Sequence, residues 1–129
     1  KISLFDISDP SKPIEKDKLL FYRRAWSPAT YDIHAILRIT RLKYIGIPLE
    51  FYNITLKEGY LLAKADKNGL HNIGLLTLNK PNNITQYIRW IAYIRGIYIE
   101  NYLYIVTNKQ IEVYELSTLK PVNSVYISS

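Results

Sequence analysis

Apolar and polar residues alternate along this chain with a period of two. In Ile2-Ser3-Leu4-Phe5-Asp6-Ile7, the side chains of Ile2, Leu4 and Asp6 fall on one face of a pleat and those of Ser3, Phe5 and Ile7 on the other. The alternation stops at Ser8-Asp9-Pro10-Ser11-Lys12-Pro13, where turn chemistry takes over and two prolines exclude a helix. A shortened version of the same stretch closes the chain, from Ile111 through Glu115, Ser117 and Thr118 to Lys120-Pro121-Val122. A third, degraded copy runs from Ile73 to Pro81, with Thr77 and Lys80 where the first copy has acids. What recurs is therefore a strand, a turn and the start of a second strand, the signature of a stacked module.

The segments between the copies complete the pattern. After the opening strand (1–9), residues 14–22 read as a second strand whose Glu15-Lys16-Asp17-Lys18 run suits a sheet edge. Residues 23–30 show no period and read as a loop. Strands are expected at 31–39 and 43–51, because both are short, β-branched or aromatic, and bounded by turn signals. Asp66-Lys67-Asn68-Gly69 between two apolar runs predicts a hairpin, read as an insertion of about 51–72. Further strands follow at 82–90, 94–100, 102–107, 110–116 and 122–127. The shorter interval between copies, Ile73 to Ile111, approaches the ~40–45 residues of a four-stranded propeller blade.

The expected fold is all-β: antiparallel four-stranded propeller-blade repeats, about two and a half blades of an incomplete propeller. Residues 1–24 form the half blade, 31–90 a blade carrying the inserted hairpin, and 91–129 the last blade. The half blade leaves an open sheet edge at the strand containing Leu4, which calls for a partner.

Composition adjusts this picture only in part. A chain of 129 residues suits one domain, and 12 Tyr against 5 Gly and 6 Pro favours β structure over disorder. The absence of Cys removes disulfides, thiol catalysis and zinc fingers. With no Met and Lys1 as first residue, the chain is expected to be a piece of something longer, with any leader or anchor outside it. The apolar run 87–106 is broken by Arg89, Arg95 and Glu100, so it reads as strands and no transmembrane segment is expected. A net charge of +6 favours acidic surfaces, though it serves solubility equally well.

Candidate chemistry is sparse. Asp6 and Asp9 could offer oxygens to a hard cation, but an Asp beside Pro at a strand end serves a turn, and the copies do not keep both acids. Glu112 and Glu115 fall on opposite strand faces, which argues against a paired acid and base. His34 and His71 are solitary, and neither a Gly-x-Ser-x-Gly turn nor a phosphate-cradling glycine loop occurs. Asp6, Asp9, Asp32 and His34 are therefore expected to serve turns or local polar contacts, and no catalytic, metal or cofactor site is expected. The most suggestive surface cluster is Tyr22, Arg23, Arg24 and Trp26, where aromatics interleaved with guanidinium groups could stack on single-stranded nucleic acid or a sugar-rich surface. Asn53-Ile54-Thr55 and Asn83-Ile84-Thr85 match the glycosylation acceptor pattern.

These features resemble the secreted β-propeller domain proteins of bacteria and archaea, distantly related to WD40 repeats. The likeness rests on Asp6-Ile7-Ser8-Asp9-Pro10 with its Lys12-Pro13 step, the Tyr31-Asp32 step, the strand end Ile47-Pro48 and Leu103-Tyr104-Ile105-Val106. It spans nearly the whole chain and is similar to the C-terminal portion of that domain. Where the family carries Asp-His-Lys-Ala, this chain has Asp32-Ile33-His34-Ala35, which shifts the imidazole. The resemblance implies an exported or cell-surface scaffold without catalysis that binds a protein, a glycan or the envelope. Its expected partners are the remaining blades of the parent protein or a second copy. A nucleic-acid-binding module and a piece of a propeller hydrolase, its active site on other blades, are the alternatives.

Overall fold

The structure, a computed structural model, describes residues 1–21, 24–78 and 90–127. Its strands are β1 (Ile2–Asp6), β2 (Ile14–Leu19), β3 (Ala25–Trp26), β4 (Leu37–Ile39), β5 (Tyr44–Asn53), β6 (Thr55–Asp66), β7 (Gly69–Thr77), β8 (Arg95–Ile99), β9 (Tyr102–Val106), β10 (Gln110–Glu115) and β11 (Pro121–Tyr126). Among the described residues they form three antiparallel sheets: β1-β2, then β3-β5-β6-β7 with β4 also on β5, then β11-β10-β9-β8. The fold is all-β, as the alternation requires. Among the described residues no helix is long and apolar enough to cross a membrane.

The repeat read from the sequence holds down to hydrogen bonds. Leu78, just past β7, donates its backbone N–H to the Glu58 carbonyl at 3.0 Å, and Leu116, just past β10, donates to Asn101 at 2.8 Å. The β1-β2 ladder slips between Leu4 and Phe5, and the β10-β11 ladder slips between Val113 and Tyr114, the matching positions of the two copies. Asp6 accepts from the Ser8 hydroxyl at 2.5 Å, and Glu115 accepts from the Ser117 hydroxyl at 2.8 Å. One acid of the first turn is thus preserved in role, with Glu in place of Asp.

Two expectations need correction. Residues 31–39 were expected to form one strand, yet only β4 is extended, after short 3-10 turns at Pro28–Thr30 and Ile33–Ala35. The cause is local: the Ser27 hydroxyl accepts from the Ala29 N–H and the Asp32 carboxylate from the His34 N–H, and Pro28 has no N–H to give a ladder. The hairpin at 66–69 forms, but it is no insertion. β6 pairs with β5 along one edge and β7 along the other, so it is an interior strand of its sheet, and residues 59–63 are buried. The β5-β6 turn escaped notice because it carries no turn residue: Ile54 itself takes φ 64. The expected strand at 82–90 lies outside the described residues, except that Trp90 opens a 3-10 turn.

The main core lies between the second and third sheets. Tyr60 and Leu62 of β6, Leu103 and Ile105 of β9, and Tyr114 of β10 meet Ile39, Leu78, Ile91, Ile94 and Leu116 there. At ~1.5–3 kcal/mol for each fully buried large apolar side chain, this cluster dominates the stability of the fold. The first sheet meets the second through β2 and β7. Asp17 of β2 accepts the Leu70 N–H of β7 at 2.7 Å, and Gly69, at φ 127, leaves the carboxylate room that a side chain would take.

Candidate functional site

Two places concentrate chemistry. The first is the open side of the β1-β2 sheet. β10 is flanked by β9 and β11, whereas among the described residues β1 pairs only with β2. The consequence is visible at one repeat position: Leu78 is 5% exposed and Leu116 4%, but Ile7, their counterpart, is 68% exposed. At the other end of β1, Ile2 joins Phe21, Trp26, Ile45, Ile47 and Leu49 in walling a cavity of about 400 Å³. β1 thus has an exposed apolar residue just past one end and a cavity at the other, and its outer edge has no partner among the described residues.

The second place is a polar junction between the second and third sheets. The Asp32 carboxylate accepts the His34 N–H at 2.9 Å and sits 3.2 Å from His34 Nδ1 through one oxygen, while the other takes the Arg95 Nη2 proton at 2.6 Å. Arg95 also donates to the carbonyls of Ala92 and Ile94, at 2.8 and 2.9 Å. The His34 N–H bond, with the imidazole and guanidinium beside it, holds the Asp32 carboxyl below the ordinary carboxylate range. Close by, the fully buried Tyr60 hydroxyl has no hydrogen-bond partner among the described residues. Burial pushes its pKa well above that of an ordinary tyrosine, partly opposed by the Arg95 charge.

That tyrosine is wedged between two glycines. Gly46 of β5 lies opposite Leu62, and Gly96 of β8 lies opposite Ile105, equivalent places on the first strands of adjacent units. A Cβ at Gly46 would meet the Tyr60 ring at 2.7 Å, and one at Gly96 would reach its Cζ at 2.5 Å. The junction can therefore lock two sheets together, but it offers no nucleophile with a base aimed at it.

Of the residues singled out from sequence, Tyr22 and Arg23 lie outside the described residues. Arg24 is exposed and its carbonyl accepts from the Tyr52 N–H, whereas Trp26 packs against the core cluster with its ring centroid 5.9 Å from that of Tyr31. Asp6 and Asp9 each accept the backbone N–H and the hydroxyl of the serine two residues on, which lowers both carboxyl pKa values. His71 sits 3.2 Å from Asp66 across the β6-β7 turn. Among the described residues no group of three His, Cys, Asp or Glu could hold a metal. Sequence reading missed Arg95 and Tyr60 as members of a junction, although the matched glycines at 46 and 96 were a usable signal.

Comparison with known proteins agrees with this architecture. A family model described as "Beta propeller domain" matches residues 1–119. An uncharacterized protein of Archaeoglobus fulgidus is 30% identical over 117 residues, 89% of this chain but only 15% of that protein's length. No solved structure matches.

Proposed function

The chain belongs to the beta propeller domain family, and on that premise we propose a non-catalytic scaffold whose first, two-stranded unit is completed by strands of the remaining blades. Carrying this reading is the exposure of Ile7 at the position where Leu78 and Leu116 are buried. Each full unit covers that position with the strand before it, so a strand laid along β1 would bury Ile7 in the same way. An apolar sheet edge left open invites pairing, and a second copy of the chain could meet the same need. The share of the Archaeoglobus fulgidus protein that this chain spans supports a setting with many more blades.

The assembled scaffold, in our reading, works outside the cell and presents its surface to a protein, a glycan or the envelope. Support comes from the Asn53-Ile54-Thr55 acceptor pattern at an exposed hairpin tip, and from the net charge of +6. The test is Ile7→Lys. Because Ile7 is already in water, the variant should keep the wild-type melting temperature. Light scattering and dye binding should show wild-type chain that self-associates or exposes an apolar face, and the lysine variant should lose the association. A strictly monomeric wild type that binds no apolar dye would sink the proposal.

A further inference from the structure

Gln110, Glu112 and Tyr114 alternate along β10 and so project from one face, and all three are buried, at 4%, 7% and 8% exposed. Gln110 Nε2 donates to Glu112 Oε1 at 3.0 Å, and the Tyr114 hydroxyl donates to Oε2 at 2.6 Å. Both donors are neutral. No Lys, Arg or His among the described residues lies within ion-pair distance of Glu112. A buried carboxylate costs several kcal/mol unless a positive charge meets it, and it can accept about four hydrogen bonds.

The carboxylate also faces space. A cavity of about 370 Å³ is bounded by these three residues and by β11, through Pro121, Asn123, Ser124 and Tyr126. Ser124 stands directly across from Glu112, and Tyr126 across from Gln110. The volume falls within the ~300–1,000 Å³ range of small-ligand pockets. A metal ion is a poor match, since one carboxylate and neutral oxygens do not make three ligands. An organic cation matches better: several N–H donors for the open lone pairs of Glu112, and two tyrosine rings to flank the charge.

We propose that Glu112 anchors a binding site for a guanidinium or alkylammonium group, held against the carboxylate between Tyr114 and Tyr126. The group could arrive as a free small cation or on an Arg or Lys side chain of another polypeptide, and the chemistry at Glu112 is the same. Two probes separate the sources: n-butylguanidinium, and a glycine pentapeptide with one central arginine.

Calorimetric titration of the full chain should give saturable binding with at least one probe. Tighter binding of the peptide by ~10-fold or more identifies a polypeptide source, and equal binding identifies a free cation. The same peptide with citrulline, a neutral isostere, should not bind. Glu112→Gln keeps the side-chain shape and removes the charge, so it should weaken binding by at least ~10-fold while its melting temperature stays level or rises. Ser124→Phe, on an exposed strand, should fill the cavity and block binding without touching the carboxylate. The proposal is overturned if wild type binds neither probe at ~10 mM, or if Glu112→Gln binds as wild type does. It is overturned equally if Glu112→Gln melts several degrees lower and no probe binds wild type, because a basic side chain of the chain itself then fills the space.

Discussion

Tyr60 between Gly46 and Gly96 permits a quantitative test of how the second and third sheets are locked. Gly→Ala in a strand ordinarily gains ~0.5–1 kcal/mol from lost unfolded-state freedom. At Gly96 the new methyl would enter the space of the Tyr60 phenol, and overpacking of this kind costs ~1–3 kcal/mol. The net expectation for Gly96→Ala is a loss of about 1–2 kcal/mol. Tyr60→Phe removes a hydroxyl that is fully buried with no partner among the described residues, so it should be neutral or stabilise by up to about 1 kcal/mol. The phenylalanine also vacates part of the space that the Gly96 methyl needs. The double variant should thus be more stable than the sum of the single effects by at least ~0.5 kcal/mol. Urea denaturation at constant m-value measures all four proteins. Additive effects, or a Tyr60→Phe loss above ~1 kcal/mol, would refute the wedge, the latter by revealing a hydrogen bond made by the hydroxyl.

Further expectations follow from the same geometry. Leu116→Ala should cost ~2–5 kcal/mol by leaving a cavity in the main core, whereas Ile7→Ala, at the matching position, should stay within ~0.5 kcal/mol; denaturant midpoints decide it. Ile54→Gly should stabilise by ~1 kcal/mol, since a β-branched residue at φ 64 and 97% exposed loses strain and no packing; calorimetric melting checks it. Hydrogen bonds hold the Asp6, Asp9, Asp17, Asp32 and Asp66 carboxyls below the ordinary aspartate value in the folded chain. Their depressed values make their stabilisation fully present above that value and lost as the pH falls through the folded pKa values. Melting temperature should therefore hold down to the carboxylate range and drop below it, and Asp32→Asn, which also deprives Arg95 of its partner, should flatten that drop.

The strand-turn repeat was legible because it rests on local rules: period-two alternation, a Lys-Pro step and an acid-serine turn. The alignment of Ile2 with Ile111 places Leu4 and Phe5 opposite Val113 and Tyr114, but the ladder slips at those positions carry no mark in the sequence. Reading failed where side chains and tertiary pairing overrode local pattern. At 31–39 the alternation looked strand-like, but Ser27 and Asp32 offered the backbone closer acceptors than a neighbouring strand could. Around Ile54 the chain reverses on a residue that favours strands, so local pattern does not separate β6 from β5. Asp32 and Arg95 lie far apart in sequence, and only the packing of adjacent units brings them together. Alternation puts Glu112 and Glu115 on opposite faces of β10, but which face meets the core, and so the burial of Glu112, depends on packing.

Hydrogen exchange along β1 tests most directly whether the first unit is open. In dilute solution the amides of Ile2–Asp6 that point away from β2 should exchange fast, while those of Gln110–Glu115, held between β9 and β11, should be protected. Raising the concentration, or supplying further blades on the same polypeptide, should slow the β1 amides toward the β10 values. Protection of β1 equal to β10 in the dilute monomer would contradict an open edge, and with it a scaffold completed through that strand.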